Sequence, residues 1–140
     1  MTPGQLLEDP SAIRARAKAA KRIAVLGIKP GSRGGQPAHY VPARVQAQGA
    51  TIVPVPVYYP DVETILGEPV VRDLRAVGEV DMVNVFRRAD DLAQHLEDLL
   101  ALAPPLVWLQ SGIRDDAFAA RLTAAGIDVV QSRCLMVERG

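Results

Sequence analysis

Four consecutive apolar residues, Ile23-Ala-Val-Leu26, run directly into the stretch Gly27-Ile-Lys-Pro-Gly31-Ser-Arg-Gly34-Gly35. A short apolar run of this kind, bounded by glycine, reads as a strand buried on both faces, which is the position of a strand in a parallel sheet covered by helices. The nine residues that follow Leu26 hold four glycines, a lysine, an arginine and a serine. A helix is expected next, ending at Gln48. Pro37 and Pro42 place its start near His39 or Tyr40, because proline is tolerated in a first turn and not inside a helix. Strand, glycine loop and helix N-terminus together form an anion site: backbone N–H groups point outward and the helix dipole favours negative charge. Glycine lets the backbone approach a phosphate closely. A plain connecting turn is the alternative, and the basic residues inside the loop favour the phosphate.

The remainder of the chain sets the bounds on this reading. With 140 residues, the length suits one domain. A chain of that size buries about 68–70% of its unfolded surface and needs no disulfide. Sixteen basic and sixteen acidic residues cancel. A broad nucleic-acid or membrane surface is therefore not expected, and any anion binding must be local. A single cysteine, Cys134, cannot form an internal disulfide, and the default compartment is the cytoplasm. No apolar run is long enough to span a membrane, and the first residues, with Glu8 and Asp9, do not read as a secretion signal.

Met1 to Leu7 reads as loose or as the start of a helix. Asp9 and Pro10 open a surface helix reaching Ala20, with Asp9 as N-cap. Thr51–Val55 is the second strand; Pro54 cannot donate to a ladder, so this strand ends there or lies near an edge. Thr64–Gly67 and Pro69–Val71 are short segments that pair about Gly67-Glu68, and Asp73–Val77 is a helical turn. Val80–Phe86 is a strand ending in Arg87 and Arg88. Ala89, Leu92, Ala93, Leu96, Leu99 and Leu100 recur at helical spacing, which predicts one amphipathic helix up to Leu102. Leu106–Leu109 is a strand, Asp115 and Asp116 open a helix closed by Gly126, and Ile127–Val130 is the last strand. Arg133–Glu138 reads as a short extended tail able to add to a sheet edge.

Strands alternating with helices imply an α/β fold: three layers, a mainly parallel sheet and helices on both faces. With the first strand central, the chain reverses direction beside it, and ligands bind there, outside the carboxyl ends of the strands. Four loops meet at that edge: Gly27–Gly35, Pro56–Pro60, Arg87–Arg88 and Gln110–Gly112. They carry arginines and two tyrosines, groups suited to phosphate and to a base. The dinucleotide fingerprint G-x-G-x-x-G fits no register of these glycines, and the second strand ends in Val55-Pro-Val-Tyr-Tyr59, without the carboxylate a nicotinamide dinucleotide needs. The nucleoside triphosphate loop, with its Gly-Lys-Ser/Thr, is also absent.

Five stretches carry a resemblance. Arg22–Gly27, Val53–Val55, Asp81–Arg87, Leu106–Ile113 and Arg133–Glu138 together resemble the small bacterial CoA-binding proteins, Rossmann-type domains similar to the N-terminal domain of the succinyl-CoA synthetase α subunit. The likeness covers about Lys21 to Glu138. It implies coenzyme A or an acyl-CoA as cofactor, its 3′-phospho-ADP part held by the loop after the first strand and by the ends of the second and third main strands. The expected contacts are Gly27, Ile28, Lys29, Pro30, Gly31, Ser32, Arg33, Val55, Tyr58, Phe86, Arg87, Arg88 and Gln110. Family members often carry serine where this chain has Ala38, so Ser32 or His39 would have to stand in for it. The synthetase's phosphorylated histidine belongs to a second domain that this chain has no room for. A non-catalytic module is the first reading; a dinucleotide redox protein and an accessory subunit of an acyl-CoA enzyme are the alternatives. Partners from these readings are a small-molecule CoA ligand, a second copy, or an acyl-CoA enzyme.

Other reactive residues have plain structural readings. His39 sits at a helix start and His95 on the polar side of a helix. Cys134 reads as a packing residue, since free cysteine is among the most buried types. Trp108, between Val107 and Leu109, reads as core or interface. Asp90, Asp91, Asp115 and Asp116 suit helix dipoles, and no residue set has metal-ligand spacing.

Overall fold

The computed structural model describes residues 2–140. The chain runs through β1 (Arg22–Leu26), β2 (Thr51–Val55), a two-stranded hairpin of β3 (Thr64–Ile65) and β4 (Glu68–Pro69), then β5 (Met82–Val85), β6 (Leu106–Leu109) and β7 (Asp128–Val130). Five of these form one parallel sheet in the order β2-β1-β5-β6-β7. The chain moves outward from β1 to β2, then crosses back to β5 on the other side of β1. The switch point therefore lies between the carboxyl ends of β1 and β5, as the strand-helix alternation implies.

Helices α1 (Pro10–Ala19), α2 (Pro37–Ala47), α3 (Leu96–Leu102), α4 (Asp116–Ala124) and α5 (Leu135–Glu138) cover both faces. Alternation along β1 divides the core. Ile23 and Val25 pack with Ile13 of α1, Val41 of α2 and Leu135 of α5. Ala24 and Leu26 pack with Leu99 of α3 and with Phe118 and Leu122 of α4. Each fully buried Leu or Ile contributes about 1.5–3 kcal/mol of transfer free energy. Trp108 is fully buried and its indole N–H donates to the Arg133 carbonyl at 2.8 Å, so it is core.

Local signals hold at α1, whose N-cap Asp9 accepts from the Ala12 N–H at 2.9 Å, and at α4, where Asp115 accepts from Phe118 N–H at 3.0 Å. A turn over Leu74–Ala76 lies where one was expected. The turn of the small hairpin sits at Leu66-Gly67, both at positive φ (55° and 77°), one residue earlier than the sequence suggested.

Four expectations are corrected. First, α2 starts at Pro37 and carries Pro42 in its interior. The N–H that Pro42 lacks would have bonded the Ala38 carbonyl; the Lys29 N–H takes that carbonyl instead, at 3.0 Å. Second, Ala89–His95 winds as a 3-10 helix and only Leu96–Leu102 as α-helix. Leu92 and Leu99 are fully buried, as the periodicity requires. In the tighter winding residues three apart share a side, so His95 follows Leu92 inward instead of facing solvent.

Third, the tail is helical. In α5, Leu135 is fully buried, and Arg139 donates to the Ala17 and Ala20 carbonyls, each at 2.7 Å. Those carbonyls end α1 and need donors from outside the helix. Fourth, the segment read as loose is paired: Leu6 bridges Val129 in parallel, with Leu7 N–H to Val129 O at 2.8 Å and Val129 N–H to Gln5 O at 3.0 Å. Met1 lies outside the described residues. It is thus the N-terminal segment, and not the tail, that covers the β7 edge. At the opposite edge Pro54 offers no N–H, and its carbonyl is taken by Val71 N–H at 2.9 Å. Each edge is thus met by another segment of the chain.

Candidate functional site

The carboxyl ends of β1, β2 and β5 stay laced one residue past the strands. Gly27 N–H donates to Val55 O at 2.9 Å, and Phe86 N–H donates to Leu26 O at 2.8 Å. Gly27 has φ +86°, and a Cβ there would run into the Phe86 carbonyl. Only glycine allows β1 to turn this close to β5.

The loop then divides. Ile28 is buried in the α1–α2 side of the core, and Pro30 is buried as well. Lys29 is tied at three points: its N–H to Ala38 O, its carbonyl to His39 Nδ1 at 2.9 Å, and its ammonium to the Gln36 side chain. Gly31, Ser32 and Arg33 form an exposed 3-10 turn. Gly31 has open space around its Cα.

Arg87 follows β5 and is 8% exposed. Its Nε donates to His95 Nε2 at 3.1 Å, its guanidinium carbon lies 5.5 Å from the Tyr58 ring centroid, and a terminal nitrogen is 3.9 Å from the Asp91 carboxylate. The aromatic contact is in cation–π range. His95 accepts this bond only when neutral. Burial holds its pKa below the ordinary 6.5, and the Arg87 charge adds to that, against Asp98 and Asp91. Asp91 is thus a second partner of Arg87, and the closer contact is the histidine.

Tyr58 stands exposed beside Arg87, and Tyr59 has φ +65°. Their loop is braced by Arg72, which donates to the carbonyls of Tyr58 (3.3 Å), Tyr59 (2.9 Å) and Val62 (2.6 Å). Neither Arg72 nor the role of His95 was found from sequence. Arg72 lies in an irregular stretch with no motif, and the helical periodicity placed His95 on the wrong side.

Two clefts open here. One, of about 220 Å³, is bounded by Gly27, Lys29, Tyr58, Tyr59, Arg87 and Asp91. The other, of about 440 Å³, is bounded by Lys29, Ala38, Phe86, Arg88, Gln110 and Ile113. Lys29, Phe86, Arg87 and Arg88 border both. The structure thus brings together Gly27, Ile28, Lys29, Tyr58, Phe86, Arg87, Arg88 and Gln110. Gly31, Ser32 and Arg33 lie outside the walls of both clefts, on the outer turn. Val55 is buried and takes part through its carbonyl. Gln110 is 4% exposed, and its Oε1 accepts from Asn84 Nδ2 at 3.3 Å and Leu135 N–H at 3.2 Å, so that oxygen serves the fold.

A separate polar hollow of about 300 Å³ lies under the N-terminal segment, by Arg114 and Arg133. Arg114 is paired with Asp116 at 3.2 Å and Arg133 with Glu138 at 3.5 Å, so its cations are already balanced. Among the described residues no cluster of His, Cys, Asp and Glu could hold a metal ion, and no helix is long and apolar enough to cross a membrane.

The model of a family described as CoA binding domain matches residues 21–140. The uncharacterized protein YneT of Bacillus subtilis (strain 168) is 33% identical over 119 residues, which is 84% of each chain. A solved Thermus thermophilus protein, cell-free ID.343, is 44% identical, with a TM-score of 0.83 over 94% of this chain and 96% of its own. A hypothetical protein from Pyrococcus horikoshii OT3 shares the fold at 21% identity, TM-score 0.81, over 99% and 96%.

Proposed function

The chain belongs to the CoA binding domain family, and from that premise we propose that it binds coenzyme A or an acyl-CoA at the carboxyl edge of the sheet, without catalysis of its own. The observation that carries this reading is the meeting of two clefts on Lys29, Arg87 and Arg88 at the switch point. Coenzyme A is a polyanion at one end and a long, weakly polar arm at the other. The smaller cleft, with Tyr58 and Arg87, suits the base and phosphates. The larger one, with Ala38, Phe86 and Ile113, suits the pantetheine arm. Ser32 and Arg33 on the outer turn would meet phosphate from the solvent side. Arg87 is nearly buried, held at Nε by His95 and near Asp91 at one terminal nitrogen, so its guanidinium is fixed at the border of both clefts, and arginine suits bidentate contact with phosphate.

The binding-module reading draws on what the reactive side chains are already doing. His39 is engaged by the Lys29 carbonyl, His95 by Arg87, and Cys134 packs against the α1–α2 core. Each has a positional task at or away from the clefts. A dinucleotide has less support, because β2 runs into Pro56, Val57 and Tyr58 without a carboxylate for ribose hydroxyls.

Thermal unfolding with coenzyme A, acetyl-CoA, NAD(H) and NADP(H) tests the ligand. Stabilisation follows RT ln(1 + [L]/Kd), so coenzyme A should raise Tm in proportion to log concentration. A rise with a dinucleotide and none with coenzyme A overturns the reading. Incubation with acetyl-CoA, followed by thiol titration, tests catalysis: release of free thiol above the protein-free rate would make this chain an enzyme.

A further inference from the structure

We propose that Pro42 is a positioning residue for the ligand clefts, acting through the loop after β1. The inference rests on the binding site proposed above, but its structural half stands apart from the identity of the ligand. Pro42 is six residues into an eleven-residue helix, a place where proline costs a helical hydrogen bond and its ring presses on the carbonyl four residues back. That carbonyl belongs to Ala38. It is not left unpaired: the Lys29 N–H donates to it at 3.0 Å.

One turn of helix thus faces the loop with two groups. Ala38 O receives the Lys29 N–H, and His39 Nδ1 bonds the Lys29 carbonyl at 2.9 Å. Both backbone polar groups of Lys29 are fixed to the first turns of α2. Lys29 borders both clefts, so the bonds that fix it also set the width of each. With a residue that carries an N–H at position 42, the Ala38 carbonyl would swing back toward the helix axis to meet it. The Lys29 bond would lengthen, and the loop would gain freedom it must lose again on binding. Proline in this helix gives up local stability and keeps the loop in its bound shape.

The test uses Pro42→Ala, with Pro37→Ala as control. Pro37 is the first residue of α2, where an added N–H gains no helical acceptor four residues back. Pro42→Ala should raise Tm, because it restores a helical bond. It should also speed amide hydrogen exchange at Lys29 about tenfold and weaken coenzyme A about fivefold, the scale of one net hydrogen bond. Stability and affinity would move in opposite directions, which a purely structural role cannot produce. Pro37→Ala should leave Lys29 exchange unchanged; Pro37 itself borders the larger cleft, so this control is read on exchange and not on affinity. Unchanged Lys29 exchange in Pro42→Ala overturns the proposal, and so does faster exchange with undiminished affinity. A parent protein that fails to bind coenzyme A at all removes the proposed ligand instead, while the Lys29 exchange still decides whether Pro42 holds the loop.

Discussion

Gly27 and Gly31 stand in the same loop, and a side chain would meet opposite conditions at the two. At Gly27 the backbone is at φ +86° and a Cβ would strike the Phe86 carbonyl; at Gly31 nothing lies within 4 Å of that position. The near half of the loop is part of the sheet's end, laced to β2 and β5 and tied to α2 through Lys29. The far half is an exposed turn. A glycine-rich loop is therefore two devices in series. The first needs glycine for geometry and holds the fold together. The second is open to solvent and makes no such demand on its backbone.

Substitutions that separate the halves should rank accordingly. Gly27→Ala should show the largest effect on the fold, a destabilisation of about 3 kcal/mol from positive-φ strain and overpacking, read from urea unfolding. A loss below about 0.5 kcal/mol would mean that β1 and β5 part easily, and the contrast between the halves would fail. Arg87→Ala comes next, and its main effect is on ligand. Coenzyme A should weaken by about 1.5–3 kcal/mol, the range for hydrogen bonds to charged groups, by titration calorimetry. A smaller loss with 3′-dephospho-CoA would identify the 3′-phosphate as the partner; equal losses would point to the pyrophosphate. Undiminished affinity would leave Arg87 as a partner of His95 alone.

The pH dependence is smaller and reads the same arginine from behind. The folded pKa of His95 lies below its ordinary 6.5, chiefly through burial. Below pH 6.5 the unfolded chain therefore binds the proton more readily than the fold does. The contribution of neutral His95 is fully present above pH 6.5 and is lost as pH falls toward the folded value. Asp81, held low by the Arg22 and Lys21 backbone N–H groups, and Asp128 titrate only in more acidic solution. Stability should thus decline from pH 6.5 to pH 5, and His95→Gln should flatten that decline. A parallel slope in the variant would show that another group carries it. Smallest is Arg33→Ala, on the outer turn: stability within about 0.5 kcal/mol of the parent, and coenzyme A weaker by about 0.5–1 kcal/mol, as for an exposed ion pair. A loss as large as that of Arg87→Ala would move the phosphates from the clefts to the turn.

Much of the site was legible because its signals are local. The glycines after an apolar strand and the arginines after β5 mark, by sequence order alone, the edge at which the two clefts open. Tyr58 follows from its place after β2. What was not legible is which of these side chains stand open and which are spent on the fold. Ile28, Pro30 and Val55 are adjacent to the loop ends yet buried, and Gln110 spends its oxygen on Asn84 and Leu135. Those roles depend on partners far along the chain, as does the brace of Arg72 on the Tyr58 loop.

Sequence alone determined the elements whose causes lie within a few residues: the capped start of α1, the apolar runs of β1, β2 and β6, the acidic N-cap of α4, and the alternation that makes the sheet parallel and doubly covered. Tertiary structure decided the rest, and in each case a distant hydrogen-bond partner outweighed a local preference. Pro42 is tolerated inside α2 because Lys29 satisfies the carbonyl it orphans. The tail is helical because it docks Leu135 and Arg139 against α1 and α2. Residues 5–7 are extended because the edge of β7 needed a partner. His95 faces inward because Arg87, nearly buried beside it, needed an acceptor. Buried backbone and polar groups are paired with few exceptions, Asn84 Oδ1 being one here, and most of those partners come together only when the whole chain is in place.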